Sequence, residues 1–537
     1  MYSGLQFWQD KLPSGLVRKT LSDGRTIETF PGMPSGQYAF LEQSARRTPE
    51  HEAVIDDLGR VFTYALLKQK TDAFADYLEE ELRFGRGSHV GLMAYSTAEY
   101  VTALLALNRI GAVAVIFPTK FKENEIRSLA GHANLDGVIC DQTYEGWFDA
   151  QRAAGVPVIS IQPEEGSFAL DAFCVSGSGE GSFPEYAGSY EDICAMLFTS
   201  GTTSKSKGVL LTNYNFVHAA GVYRLAFDIT EKDRTVIPVP IYTITALSAV
   251  IGTFLLVGGT IYLQRRFHAA DVLSCIRDND LTYMHAAPTV CSLLLEEKEQ
   301  FPSLPSLKRI VCGGSRMPAE KIRQLHAWLP DCEYHNVYGM TETTSPGTIQ
   351  REDAVECEEM ASEGFPVPGL TYKVTGDDGR ELPPGEIGEI CVSGACIMKG
   401  YYQLETDDYR DGWLKTGDMG YFTDKGYCYV VDRRKDMINR GGEKMTSYDV
   451  EEELYAMDGI LEAVVVGIPD ELYGEVPAAL VKAAPDCTWN ETGIQTYLRG
   501  RIAKYKVPVR IVFTDQIPLS SGGKPDRKKI RKLLAGT

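Results

Sequence analysis

Short apolar runs alternate with longer helix-periodic stretches through the first part of the chain. The run VGLMAY (90–95) is followed by a helical pattern over EYVTALLALNRIG (99–111). AVAVIF (112–117) then precedes a helical ENEIRSLAGHA (123–133), and DGVICD (136–141) closes the series. Buried strands alternating with helices in this way predict a parallel α/β sheet, and PVISIQ (157–162) adds a further strand. The same alternation resumes from Asp271, with LKRIV (307–311) as a strand running into CGGSRMP.

After Gly364 the pattern becomes turn-rich β. TYKVTGDDGRELPPGEIGEICVSG (371–394) sets DDG and PPG turns between alternating runs. After Lys435 a compact α/β tail is predicted, with a helix around SYDVEEELYAM (447–457) and a strand at AVVVGIP (463–469). One segment imitates a membrane span: Thr235 to Gln264 carries no charge. Pro238, Pro240 and Gly258-Gly259 interrupt it, however, and five Thr are spread through it. A buried helix from about Thr245 followed by the strand TIYLQ accounts for those breaks, and no span is expected.

Composition narrows the function classes. At 537 residues the chain holds more than one domain, and 44% hydrophobic with 24% charged residues is ordinary for a globular protein. A net charge of −19 disfavours nucleic acid or an anionic membrane as partner. An anionic substrate therefore needs a local positive site. The twelve Cys are scattered without a Cys-x-x-Cys pair, and the first residues lack a secretion pattern. Reduced thiols in the cytoplasm are expected. The oligomeric state is not legible.

The stretch LFTSGTTSKSKGVLLTN (197–213) crowds hydroxyls, glycines and lysines between an apolar strand, AMLF (195–198), and a helix start at Thr212 or Asn213. Bare N–H groups, hydroxyls and ammoniums in one loop suit a polyphosphate. No Gly-Lys-Ser/Thr follows Gly201 at P-loop spacing.

Four more motifs follow in order: NVYGMTET (336–343), GWLKTGDMGYF (412–422), DRRKDMINRGGEK (432–444) and SSGGKPDRKKIRKLL (520–534). Together the five resemble the adenylate-forming superfamily of acyl-CoA synthetases, adenylation domains and firefly-type luciferases, and most closely its acid:CoA ligases. The resemblance implies an α/β fold. A large N-terminal domain over residues 1–433 has parallel α/β sheets and a small β-barrel-like subdomain. A small mobile α+β domain covers 436–537, with a hinge near Lys435. It also implies ATP-dependent activation of a carboxylic acid to acyl-AMP, release of pyrophosphate, and transfer of the acyl group to coenzyme A, with Mg2+ as cofactor.

Carried over residue by residue, the resemblance assigns Thr199, Ser200, Thr202, Thr203 and Lys207 to the pyrophosphate. Ser204 and Ser206 stand where the family usually has Gly and Pro, which keeps the loop polar but alters its flexibility. Tyr338 offers a ring face to adenine, Thr341 a hydroxyl to phosphate, and Glu342 a carboxylate to Mg2+. Gly313, Gly314 and Ser315 allow close approach of a planar base or acyl group. Asp418 accepts the ribose hydroxyls and Arg433 is a second ribose contact. Lys524 bridges the substrate carboxylate and the α-phosphate, while Arg527, Lys528, Lys529, Arg531 and Lys532 are read as a solvated helix face. Gly441, Gly442 and Lys444 lie on the thiol face.

By the same resemblance Tyr242, Thr243, Gly314 and Ser315 are expected to line the acid pocket. Many relatives have His where Thr243 stands. PIYTITALS (240–248) contains no acid, which disfavours an α-amino acid, because an unpaired buried ammonium is costly. A medium-chain or aromatic carboxylate is expected. Two other readings remain open from the sequence. One is a free-standing enzyme that loads a separate phosphopantetheinyl carrier protein. The other is a catalytically inactive nucleotide-binding regulator.

Overall fold

The structure is a computed structural model that describes residues 1–12, 14–173, 188–199, 206–520 and 524–536. Two largely parallel sheets form the body of the N-terminal part. The seven-stranded sheet has the order 400–401, 207–212, 193–199, 113–116, 89–93, 137–141, 158–161. The nine-stranded sheet runs 365–366, 348–349, 333–338, 309–313, 283–286, 234–236, 260–263, 52–56, 61–63. A six-stranded antiparallel sheet joins the N-terminal Tyr2–Ser3 to strands between 370 and 433. Residues from 438 onward make their own five-stranded sheet, with one apolar core on each face.

The alternation of apolar and helical runs explains the layers. Helix Ala98–Arg109 is buried at all twelve positions, as expected of a helix without a polar face. Its one carboxylate, Glu99, is met at 2.6 Å by Arg60, which also pairs with Asp56 at 2.6 Å. One guanidinium thus gives two buried carboxylates a charge-assisted partner inside the core. Every strand inferred between Val90 and Ile161, and helix Glu123–His132, is present, with ends within a few residues of those expected.

The uncharged segment is a buried helix followed by strand Thr260–Leu263. Its first eight residues, Thr245–Gly252, are wound as a π-helix before the α-helical Thr253–Val257. Among the described residues, no helix is long and apolar enough to cross a membrane. The eleven described cysteines are all free thiols.

The hydroxyl-rich stretch is shorter as a loop than its sequence suggests. Lys207–Thr212 is a strand, paired antiparallel with Ile193–Thr199 in a register that sets Thr199 opposite Lys207. The Val-Leu-Leu of this stretch packs into the sheet, and the two strands present the loop ends side by side. Thr212 then caps helix Asn213–Phe227 in a capping box with Asn215.

Asn215 does more than cap. Its amide donates to the buried carbonyls of Ala395 and Ile397 at 2.7 and 2.9 Å, while its carbonyl accepts the Thr212 N–H at 2.9 Å. The helix is thereby tied to the segment that leads into Tyr401. Asn215→Ala leaves two buried carbonyls and one N–H without partners, a loss of about 2–4 kcal/mol. Thermal unfolding should show a midpoint lower by several degrees. A midpoint unchanged within a degree would make the tie incidental.

Candidate active site

The C-terminal edge of the nine-stranded sheet and the antiparallel sheet meet around Asp418. Strand Trp413–Phe422 pairs with Cys428–Arg433 so that Asp418 lies directly opposite Arg433. The Asp418 Oδ1 is 2.9 Å from the Arg433 Nε, and its Oδ2 accepts the Tyr338 hydroxyl at 2.8 Å. Asp418 is buried, while the Arg433 side chain is part-exposed. The Asp418 carboxylate holds the Arg433 guanidinium above its usual pKa. Burial, reinforced by Asp418, pushes the Tyr338 phenol well up. Both carboxylate oxygens retain a lone pair for further donors. Gly313 ends the neighbouring strand, in register with Val337, and Gly314 follows with φ +89°. Ser315, next in line, is half-buried.

Glu342 sits in the short 3-10 turn Thr341–Thr343 and is 6% exposed. Burial raises its pKa, while its own backbone N–H, the Tyr401 hydroxyl at 3.1 Å and the charge of Arg433 oppose the rise. Thr341, one residue earlier, is half-buried. The Lys207 ammonium lies 4.6 Å above the Tyr401 ring and 3.1 Å from the Asp408 carboxylate. Tyr401 thus stands between the acid of one motif and the lysine of another. Thr199 ends its strand, half-buried; Ser200, Thr202, Thr203 and Ser204 lie outside the described residues.

Lys524 reaches this cleft from the C-terminal part. Its Cε would lie 3.5 Å from a Cβ placed on Gly314, so the glycine leaves room for the lysine stem. Dehydration of the ammonium and the nearby Arg433 lower its pKa to about 8, against the pull of Asp418 and Glu342. The following helix, Arg527–Ala535, corrects one expectation. Arg527 is not on a solvated face: it pairs with Glu451 at 3.0 Å and lies 5.5 Å over the Tyr448 ring. It carries the helix start onto the small-domain core, while Lys528 and Lys529 are exposed.

Lys435 is exposed in the turn between Arg433 and Ile438. Gly441 and Gly442, at φ +62° and +97°, form the tip of the hairpin 438–445, with Lys444 exposed beside it and 3.6 Å from Asp377. The left-handed backbone explains the two glycines.

Tyr242 is 7% exposed, and its phenol bonds the backbone of Lys120. Thr243 spends its hydroxyl on the chain: it donates to the Pro240 carbonyl at 2.8 Å and accepts from the Ala246 N–H at 3.3 Å, starting the π-helix. Beyond Lys120 opens a surface recess of about 760 Å³ with Lys120, Lys122, Trp147 and the Arg127–Glu123 ion pair among its walls. Sequence reasoning missed this recess, and it missed Tyr401 and Asp408. The signal for Tyr401 was available in the Gly-Tyr-Tyr of 400–402, two aromatics between a glycine and polar residues.

Residues 41–402 match the AMP-binding enzyme family, and residues 449–524 match the AMP-binding enzyme C-terminal domain. The chain is 31% identical to a feruloyl-CoA synthase of Amycolatopsis sp. over 91% of its own length and 97% of the relative's. It superposes with a TM-score of 0.80 and 29% identity on o-succinylbenzoate CoA synthetase (MenE) of Bacillus subtilis in complex with the acyl-adenylate intermediate OSB-AMP, covering 92% of this chain and 97% of that one. The same Bacillus enzyme in complex with ATP and magnesium ion matches with a TM-score of 0.78 and 30% identity, over 91% and 98% of the two chains.

The contact between Tyr401 and Glu342 can be tested without turnover. Tyr401→Phe removes a hydrogen bond that favours the ionised carboxylate, so Glu342 should protonate at higher pH than in the parent. Difference infrared spectra of the protonated-carboxyl band, with Glu342→Gln to assign it, would follow the titration. An unmoved band would break the link.

Proposed function

Because the chain belongs to the family of AMP-binding enzymes and is an AMP-forming acid:CoA ligase, we propose that the carboxylic acid it activates is aromatic, with the cleft around Asp418, Glu342 and Lys524 as its adenylation site. The enzyme converts the acid and ATP to acyl-AMP and pyrophosphate, then passes the acyl group to the thiol of coenzyme A. The observation that carries the site is the Lys524 ammonium standing over Gly314 in a cleft shared with Asp418, Arg433 and Glu342.

In this reading the substrate carboxylate is the nucleophile, so the chain has to position it and stabilise charge at phosphorus. Asp418 orients the ribose and, through its bonds to Tyr338 and Arg433, holds the adenine platform still. Lys524 neutralises the approaching carboxylate and the α-phosphate together. Thr341, Lys207 and the hydroxyl loop that begins at Thr199 take the departing pyrophosphate.

The Glu342 site fits Mg2+. A buried carboxyl whose pKa is raised, with a phenol as its neutral donor, gains from a divalent charge, and Mg2+ prefers oxygen donors shared with phosphates. Among the described residues, no group of three His, Cys, Asp or Glu gathers to hold a metal alone. Glu342 would hold the ion, which would offset the negative charge of the phosphates.

For the second half-reaction, the domain that begins at 436 turns about Lys435, bringing Gly441, Gly442 and Lys444 to the site in place of Lys524. The basic, Trp-bearing recess next to Tyr242 suits the anionic nucleotide end of coenzyme A, which must find local positive charge on an acidic protein. An aromatic acid is favoured by Tyr242 in the pocket wall and by the acids named for the feruloyl and o-succinylbenzoate relatives. These relatives do not favour the carrier-protein or inactive-regulator readings. A reducing, cytoplasmic location accords with the free thiols.

A thioester assay with ATP, Mg2+ and coenzyme A over matched aromatic and aliphatic acids tests the substrate class; turnover of aliphatic acids alone would overturn it. Asp418→Ala should raise the ATP KM at least tenfold, the loss of charge-assisted bonds to ribose. An equal KM for ATP and 2′-deoxy-ATP in the parent would contradict this role. Since Lys524 must be cationic, ATP–pyrophosphate exchange should fall as pH rises through about 8. In Lys524→Arg this alkaline limb should move upward, because guanidinium keeps its proton. An alkaline limb unchanged by Lys524→Arg would remove the lysine from that role.

A further inference from the structure

Behind the glycines of the cleft lies a polar group that the reaction described above does not use. His285 is on strand Tyr283–Ala286 and is 1% exposed, yet its Nδ1 has no hydrogen-bond partner among the described residues. A buried ring nitrogen without a partner is costly unless something else supplies one. Its Nε2 would lie 3.6 Å from a Cβ placed on Gly313. The Gly314 position is the one the Lys524 stem passes. Lysine and histidine therefore flank two successive glycines.

The surroundings of His285 are polar in a way a plain hydrocarbon pocket does not require. The Tyr223 ring meets the imidazole edge-on at 5.5 Å, and its hydroxyl is 2.9 Å from the Ser345 Oγ. Ser345 and its neighbour Thr344 have φ of +87° and +54°, left-handed conformations that cost energy in residues with a Cβ. The chain thus holds a strained turn just after Glu342, and that turn presents a hydroxyl to Tyr223. The π-helix Thr245–Gly252 packs against both the strand of His285 and the helix of Tyr223. Its Ser248 hydroxyl is also buried without a partner among the described residues. π-helical turns occur often at functional sites.

We infer that His285, supported by Tyr223 and Ser345, forms the far end of the acid pocket and selects acids that carry a hydroxyl group remote from the carboxylate. This inference rests on the proposed adenylation site and on the aromatic reading of the acid. With the carboxylate at Lys524, the body of the acid lies across Gly314 and Gly313 and its distal group reaches the imidazole. Burial lowers the His285 pKa to about 3, so the ring is neutral and offers one donor and one acceptor. A hydroxyl uses such a ring in either sense, whereas a second carboxylate would meet no positive charge there. Selection follows from the penalty on the deoxy acid, which leaves the imidazole unpartnered.

The test compares kcat/KM for 4-hydroxycinnamate and cinnamate, and for 8-hydroxyoctanoate and octanoate, in the parent, His285→Leu and His285→Gln. In the parent the hydroxylated aromatic acid should be preferred on the order of tenfold or more, mostly through KM. The preference should collapse in His285→Leu and survive in part in His285→Gln, which keeps a donor and an acceptor. Aromatic acids turned over with no hydroxyl preference, or with a preference that His285→Leu leaves intact, would overturn the inference while sparing the aromatic reading. Turnover of the aliphatic pair alone would overturn the aromatic reading. In that case a hydroxyl preference lost in His285→Leu would still support the pocket, and no preference would sink it.

Discussion

The cleft depends on the Asp418 carboxylate. It is buried, it belongs to the antiparallel sheet, and it fixes Tyr338 from the nine-stranded sheet and Arg433 from the strand leading out of the N-terminal part. The carboxylate is buried while the Arg433 side chain is part-exposed, and the three side chains together hold two sheets in one relative position. Arg433 also has a neighbour with the opposite allegiance. Asp432 accepts the Ser447 N–H and hydroxyl, both at 2.9 Å, and so grips the first helix of the C-terminal part. Two adjacent residues thus anchor the chain in both directions immediately before Lys435.

The acidic balance of the protein makes each cation at the site an arranged one. Lys207 is held between Asp408 and the Tyr401 ring, Arg433 by Asp418, and Arg527 by Glu451. Lys524 differs: its ammonium is drawn by Asp418 and Glu342 but repelled by Arg433 and partly dehydrated. A cation whose charge is least well compensated gains most from an approaching anion. This sets Lys524 apart from Lys528 and Lys529 on the following helix.

Much of this was legible in the sequence because it is local. Alternating apolar runs predicted the strands from Val90 to Ile161, and the interruptions of the uncharged segment predicted a helix and a strand in place of a membrane span. The ordered motifs brought Tyr338, Glu342, Asp418 and Lys524 to attention before any distance was known. The rest depends on contacts between distant residues. Lys207–Thr212 reads as part of a polar loop until its pairing with Ile193–Thr199 is seen. Arg527 reads as a surface charge until Glu451 and Tyr448 close over it. His285 lies in an apolar strand where a lone histidine gives no period and no motif, and only its neighbours show that it lacks a partner.

The wide turn at Thr245–Gly252 has a consequence for how this segment can vary in length. A π-helical turn holds one residue more than the α-helix that would span the same rise. Removing a single residue there would let one turn relax to α-helix over the same rise, re-aiming the side chains of that turn while the residues on either side keep their places. Strand Thr260–Leu263 and the layers behind it would stay in place. Length variation of one residue in this segment is therefore a change that the fold can absorb within a single turn.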